Sequence, residues 1–357
     1  MPIFHALKVK SVCRETSDCV SVAFEVPESL AASYRFQAGQ YLTLRTTLGG
    51  EEVRRPYSIC SSPSEDGLKV AIKHIPGGKF STFANKQLRA GDILEVMTPM
   101  GDFHVPIAAS NQKRYVAFAA GSGITPVISI IKESLLRETG STFTLFYGNR
   151  TTDAIIFRET LEGLKNKYLH RFSLFHILSR EDQGNDLLSG RIDRSRLSLI
   201  FSRLIKAREV DEYLLCGPLG MVQELKVFLK NAGVEGDKIH IELFNAGQEA
   251  EVQEKGGPSE AGTDGETQVS IRLDGNILNF TMASRRQSLL DAAMTAGADL
   301  PFSCKGGVCC TCKARILEGA AEMKLNYALE PEEVKAGYIL TCQARPTTNR
   351  ISIDFDQ

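Results

Sequence analysis

The sequence predicts a multi-domain protein: an antiparallel β-barrel, then an α/β domain on a parallel sheet, then a small α+β domain. Three observations carry this. Apolar residues alternate with period two as far as about residue 107, strands and helices alternate from residue 114 onward, and four of the nine cysteines crowd into residues 304–312. A chain of 357 residues also exceeds one comfortable core, so two or three domains are expected.

The barrel is expected over residues 1–109. Alternating runs at 7–12, 20–26, 41–45, 68–73 and 93–97 read as strands. Turn residues such as Gly39, Gly49, Gly50, Pro63, Gly67, Gly91 and Gly101 separate them, which suits a small closed antiparallel sheet. Arg55-Pro-Tyr-Ser58 reads as leaving a strand through a turn fixed by Pro56. Its arginine suits a pyrophosphate, its tyrosine ring offers a face for stacking, and its serine can hydrogen-bond a ring nitrogen. In Gly77-Gly-Lys-Phe-Ser81-Thr82, glycines open a short helix expected over 81–88, whose N-terminal amides would bind phosphate.

The α/β domain is expected over 110–245. A continuous apolar run at 115–120 leads into Gly121-Ser-Gly-Ile-Thr-Pro126 and an amphipathic segment ending at Arg137. Further strands read at 143–147, 172–177 and 213–216, each followed by a helical or mixed segment, the pattern of a nucleotide-binding sheet. Gly121-x-Gly123 is not the full dinucleotide fingerprint, and alone it leaves structural and functional readings level.

Residues 246–266 lose apolar periodicity and gain glycines and acidic residues, a flexible linker. The last domain, 267–357, opens with a hairpin at 269–273 and 277–280 and a helix around 288–296. Then comes Cys304-Lys-Gly-Gly-Val-Cys309-Cys310-Thr-Cys312, with Cys342 downstream. C-x4-C-x2-C with a distant fourth cysteine is the plant-type ferredoxin spacing for a 2Fe-2S cluster on four thiolates. A structural zinc site would use the same ligand type, and Cys310 offers a second register. Gly306 and Gly307 are expected where the loop wraps tightly. Cys13, Cys19 and Cys60 lie in strand-like runs and read as small buried residues.

A net charge of −1 gives no overall electrostatic footprint for nucleic acid or an anionic membrane. No run approaches the ~18 apolar residues of a membrane span. The opening residues lack a signal-peptide pattern, so a cytoplasmic location is expected.

These motifs resemble the ferredoxin–NADP reductase superfamily, in which R-x-Y-S and a later G-x-x-S form the FAD site. The resemblance implies Arg55 on the FAD phosphates, Tyr57 against the isoalloxazine and Ser58 near flavin N5, with Pro56 in the same cofactor-binding set. Gly78 and Ser81 would cradle the pyrophosphate, and Gly77, Thr82 and Lys73, which ends the run 68–73, join the cofactor-binding set. Gly121, Gly123, Thr125 and Pro126 match the family's G-x-G-x-T-P at the nicotinamide dinucleotide. Cys216-Gly217-Pro218 matches its C-G-P beside the nicotinamide, where Cys216 would orient hydride transfer. Glu242-Leu-Phe244 resembles its terminal E-x-F, with Phe244 near the flavin. The implied catalytic residues are Ser58, Cys216 and Phe244, and the implied cluster ligands are Cys304, Cys309, Cys312 and Cys342, with Cys310 a bystander.

Arg150, Ser179 and Arg180 are positioned like family residues that meet a 2′-phosphate, so NADPH is expected over NADH. Order and motifs together resemble the reductase components of bacterial multicomponent oxygenases, and most of all the reductases of the phenylacetyl-CoA epoxidase group. The motifs behind that likeness include Tyr147-Gly-Asn-Arg-Thr151, Lys305-Gly-Gly-Val-Cys309 and Asn326-Tyr-Ala-Leu-Glu-Pro331. It implies a β-grasp-like ferredoxin domain and a di-iron oxygenase as partner in phenylacetate degradation. A reductase for another aromatic- or steroid-hydroxylating oxygenase, a free-standing flavin reductase and a zinc-stabilised nucleotide-binding protein are the alternatives.

Overall fold

A computed structural model describes residues 3–244 and 265–357, which belong to two compact units. The expected linker lies, apart from its last two residues, outside the described residues.

The first unit begins with β1 (Phe4–Thr16), β2 (Cys19–Glu25), β3 (Tyr41–Leu48), β4 (Glu51–Ser58), β5 (Leu68–Lys73) and β6 (Ile93–Met97). They form one antiparallel sheet in the order β4-β3-β6-β1-β2-β5. A bridge between Ile59 and Val70, with the Cys60 N–H donating to the Lys69 carbonyl at 2.8 Å, joins its two ends into a barrel. Alternate residues fill the interior: Leu7, Leu42, Leu44, Val70, Ile72 and Val96 are completely buried.

Three expectations are corrected here. Pro56 is no turn; it sits within β4 opposite Thr43. At that level β4 has a ladder on one side only, so the missing N–H costs no hydrogen bond. Cys19 and Cys60 are buried as expected, but Cys13 is exposed. A register shift between Val9 and Ser11 resets which residues of β1 face inward. Helix α1 (Lys79–Lys86) starts and ends two residues before the expected span, because Gly78 serves as N-cap.

The unit continues with β7 (Arg114–Ala120), α2 (Ile124–Arg137), β8 (Thr142–Asn149), α3 (Arg158–Lys167), β9 (Phe172–Leu178), α4 (Arg194–Arg203), β10 (Glu212–Gly217), α5 (Leu219–Asn231) and β11 (Ile239–Leu243). All five strands are parallel, in the order β11-β10-β7-β8-β9. The chain winds outward from β7 to β9, then returns to lay β10 beside β7. That reversal opens a crevice at the carboxyl ends of β7 and β10, the ligand position of such sheets. One sheet face packs Ala117, Ala119, Leu145 and Tyr147 with α2. On the other, Phe118, Phe146 and Phe175 stack with ring centroids 4.9 and 5.0 Å apart, and Phe201 of α4 joins them.

The second unit holds β12 (Thr267–Leu273), β13 (Asn276–Met282), α6 (Leu289–Thr295), β14 (Lys313–Glu318), β15 (Ala321–Met323), α7 (Pro331–Lys335), β16 (Tyr338–Leu340), β17 (Ala344–Pro346) and β18 (Arg350–Asp354). Its main sheet runs β13-β12-β18-β14-β16, with β12 and β18 parallel. Asp274 and Gly275, at φ of 51° and 72°, make the tight turn of the opening hairpin. Ser288 caps α6, accepting from the Asp291 N–H, and Leu289, Leu290 and Ala293 share a core with Val269, Ile271, Ile351 and Ile353. Among the described residues no helix is long and apolar enough to cross a membrane.

Candidate functional site

At the crevice, Gly121 has φ of 53° and opens a 3-10 turn, Gly121–Gly123, into α2. A Cβ on Gly123 would lie 2.3 Å from the Cys216 carbonyl oxygen, so only glycine lets the turn approach the end of β10. Thr125 donates to the Ser122 carbonyl at 3.0 Å, and Pro126 falls in the first turn of α2, where its missing N–H costs nothing. Cys216 is completely buried, Gly217 ends β10 and Pro218 caps α5. The barrel supplies Lys73, whose Nζ lies 3.6 Å from Asp18 Oδ2 and close to Gly121.

At the end of β4, Arg55 is exposed and donates to the Arg54 carbonyl at 2.7 Å. Half-buried Tyr57 rests its ring 5.5 Å from that of Phe80, and burial pushes its phenol up. Gly77 takes φ of 77°. The Ser81 hydroxyl turns inward, accepting from the Ile75 N–H at 3.1 Å and lying 3.3 Å from the Gly78 carbonyl. Ser81 therefore braces the turn that presents the first amides of α1, and Thr82 Oγ1 lies 3.2 Å from His74 Nε2.

Ser58, buried at the close of β4, places its Oγ 3.4 Å from Glu242 Oε1 and 3.5 Å from Oε2. Glu242 pairs in register with Cys216 across β10 and β11. Burial pushes the Glu242 carboxyl up to about 8, with the Ser58 hydrogen bond acting in the opposite sense. Burial, and then the Glu242 charge, push the Cys216 thiol far up, so it is no nucleophile. The Phe244 N–H donates to the Gly217 carbonyl at 3.2 Å, and its ring packs on the core of the sheet. A hydroxyl from the barrel and a protonatable carboxyl and thiol from the sheet thus meet where the two folds join.

Beyond β8 and β9, Arg150, Ser179 and Arg180 are exposed at the carboxyl edge of the sheet. The strand ladder continues past both ends, with Ser179 N–H to Asn149 carbonyl at 2.9 Å and Arg180 N–H to Arg150 carbonyl at 2.8 Å.

In the second unit the four expected thiols fall into two neighbouring pairs, Cys304 with Cys309 and Cys312 with Cys342. The bond from Cys309, backed by the N–H groups of Val308, Gly306 and Cys309, pulls Cys304 down to about 6 against its burial. The Gly306 N–H lies 3.3 Å from Cys304 Sγ, and Gln343 Nε2 lies 3.7 Å from Cys342 Sγ. Two pairs ringed by donors suit a centre of two irons, each taking two thiolates. Of the two expected glycines only Gly307 is left-handed, at 74°. Lys305 and Cys310 take the other tight positions, at 51° and 53°. Lys305 is held by Asp291 of α6 at 2.8 Å, and a Cβ on Gly307 would meet the Leu325 carbonyl oxygen at 3.0 Å.

Residues 6–105 match the family model described as an oxidoreductase FAD-binding domain, 118–226 that of an oxidoreductase NAD-binding domain, and 271–347 that of a 2Fe-2S iron-sulfur cluster binding domain. Over 361 aligned residues the chain is 45% identical to the E subunit of 1,2-phenylacetyl-CoA epoxidase from Escherichia coli (strain K12), covering 100% of this chain and 99% of that protein. The chain belongs to the FAD- and 2Fe-2S-containing oxygenase reductases. This oxygenase reductase is also 35% identical to the ferredoxin reductase component of 3-ketosteroid-9-alpha-monooxygenase from Rhodococcus rhodochrous, over 98% of the chain and 96% of the relative. Phthalate dioxygenase reductase, described as a modular structure for electron transfer from pyridine nucleotides to [2Fe-2S], shares its fold at 21% identity. The TM-score is 0.58, over 99% of this chain and 98% of that one.

Sequence reasoning missed two carboxylates of the oxygenase reductase. Glu242 was in view within its E-x-F motif, and an acidic residue closing the strand-like run before Phe244 was the available signal. Glu181, next to Arg180, accepts from both the N–H and the hydroxyl of Thr152; only its place in Ser179-Arg-Glu181 hinted at a role.

Proposed function

We propose that this oxygenase reductase takes electrons from NADPH and passes them through FAD and a 2Fe-2S cluster to a di-iron oxygenase that epoxidises phenylacetyl-CoA. The observation that carries the redox reading is the meeting of Ser58, Glu242 and Cys216 beside the crevice. The partner rests on likeness to the epoxidase component. When bound, a flavin converts the paired electrons of a reduced nicotinamide into single ones that an iron–sulfur centre can carry.

The chain's own residues bind and orient. Arg55 and the amides opened by Gly77 and Gly78 hold the FAD diphosphate, with Pro56, Ser81 and Thr82 shaping their frame. Tyr57 covers the flavin ring system. Ser58 would serve its N5 edge, and Glu242, protonated near neutral pH, would keep that hydroxyl oriented. The turn from Gly121 to Pro126, with Lys73, Gly217 and Pro218, holds the coenzyme's diphosphate, while Arg150, Ser179 and Arg180 meet its 2′-phosphate. Cys216 sets the nicotinamide's approach, and Phe244 excludes water from the transfer path. Cys304, Cys309, Cys312 and Cys342 hold the cluster. The functional boundaries are 1–109, 110–245 and 267–357, with 246–266 as linker. Nine cysteines with no disulfide among them suit the reducing cytoplasm.

The test is anaerobic reduction of the purified protein by NADPH, followed by addition of the oxygenase component, phenylacetyl-CoA and O2. Bleaching of flavin and cluster bands, then epoxide formation, is expected. Bleaching without epoxide would refute the partner, and a colourless, zinc-containing protein would refute the electron chain.

A further inference from the structure

An acidic residue just past a strand of a nucleotide-binding sheet ordinarily reads as the acceptor for a ribose 2′-hydroxyl, the mark of an NADH enzyme. Glu181 occupies such a place, directly after Arg180. Its geometry argues otherwise. Oε1 accepts from the Thr152 N–H at 2.8 Å and Oε2 from the Thr152 hydroxyl at 2.6 Å, so both oxygens are engaged by one residue of the neighbouring loop. Those two bonds hold the carboxyl below its ordinary range.

The clamp joins two loops that each carry one exposed arginine. Arg150 lies two residues before Thr152, and Arg180 immediately precedes Glu181. Between them the ladder is extended by the bond from Arg180 N–H to Arg150 carbonyl at 2.8 Å. Among the described residues neither guanidinium makes a hydrogen bond or ion pair. The backbone bond and the carboxylate clamp hold the two loops in register, so the two arginines start from neighbouring backbone positions from which both can reach one dianion.

We infer that Glu181 is a positioning residue for coenzyme choice: by clamping Thr152 it fixes Arg150 and Arg180 side by side for the 2′-phosphate of NADPH. This rests on reading those arginines as the phosphate contacts. Glu181 touches no coenzyme atom; it acts through the loop it holds.

The experiment measures kcat and KM for NADPH and NADH in wild type, Thr152→Val, Glu181→Ala, Glu181→Gln and Arg180→Ala, using the full chain with its cofactors and recording melting curves. Glu181→Ala, which removes both bonds, should raise KM for NADPH about tenfold while kcat and KM for NADH stay within about twofold; Thr152→Val, which keeps the backbone N–H bond, should raise it in the same direction but less. Glu181→Gln keeps one acceptor for the Thr152 N–H and should fall between wild type and Ala. If Glu181→Ala does not fold, Thr152→Val carries the test alone. The inference is overturned if these variants keep the wild-type NADPH-to-NADH ratio while Arg180→Ala lowers it. It is also overturned if both coenzymes weaken together with a lower melting temperature. Glu181→Ala harming NADH more than NADPH would make it the ribose acceptor after all, and Glu181→Gln tightening NADPH would leave only a charge effect. An unchanged ratio in Arg180→Ala would instead remove the phosphate reading on which the inference stands.

Discussion

The hydroxyl of Ser58 and the carboxyl of Glu242 lie 3.4 Å apart although 184 positions separate them in the chain. One ends a barrel strand, the other approaches the end of the last strand of the parallel sheet, so the pair exists only when both are in place. Burial raises the Glu242 pKa from its ordinary 4.5 to about 8, so the native state binds this proton more tightly than the unfolded chain. The resulting stability is full below about pH 4.5 and is lost as the pH climbs through about 8. Glu242→Gln, which has no proton to lose, should melt with the wild type near pH 5 and several degrees above it at pH 9. Parallel melting curves across that range would show that the carboxyl is not perturbed.

Gly123→Ala should destabilise the first unit by about 1–3 kcal/mol, because the new methyl meets the rigid Cys216 carbonyl and cannot be accommodated by a rotamer change. Gly220 in α5 provides the comparison: a Cβ there meets nothing within 4 Å, and Gly220→Ala should stabilise by up to about 1 kcal/mol. Urea denaturation of the two variants should move in opposite directions.

Replacing Cys304, Cys309, Cys312 or Cys342 with Ser should strip or shift the visible spectrum of the cluster. Cys310→Ala should leave it intact. A loss of spectrum in Cys310→Ala would mean that the ligand register is displaced by one residue.

Residues 267–357 carry ten Lys/Arg and ten Asp/Glu, so this segment has no net charge with which to steer. Reduction of the oxygenase should therefore vary only about twofold between 50 and 300 mM salt. A steep fall would reveal a local charged patch at the docking face.

The strands at 68–73 and 93–97 were legible to the residue because period two marks them and turns bound them. β4 was not: Glu51-Glu-Val-Arg-Arg-Pro lacks an apolar alternation, and Pro56 argued for a turn until the one-sided ladder at its level removed the objection. In the cysteine loop, spacing gave the four thiols as expected ligands. The left-handed Lys305 and Cys310 could not be foreseen, since their conformation is imposed by closure of the loop and not by their own preference. The Glu242 and Glu181 contacts escaped for a related reason. Each depends on strand register and loop approach, which local composition does not encode.

The strand β18, residues Arg350–Asp354, lies third among the five strands of its sheet, between β12 and β14. During synthesis the four thiols proposed as cluster ligands are therefore made before the strand that completes the sheet beside them. For that interval the nascent chain carries reduced, unpaired sulfurs without their scaffold, open to wrong disulfides in any oxidising setting. A truncation that removes only β18 should therefore cost the cluster although it removes none of the four proposed ligands.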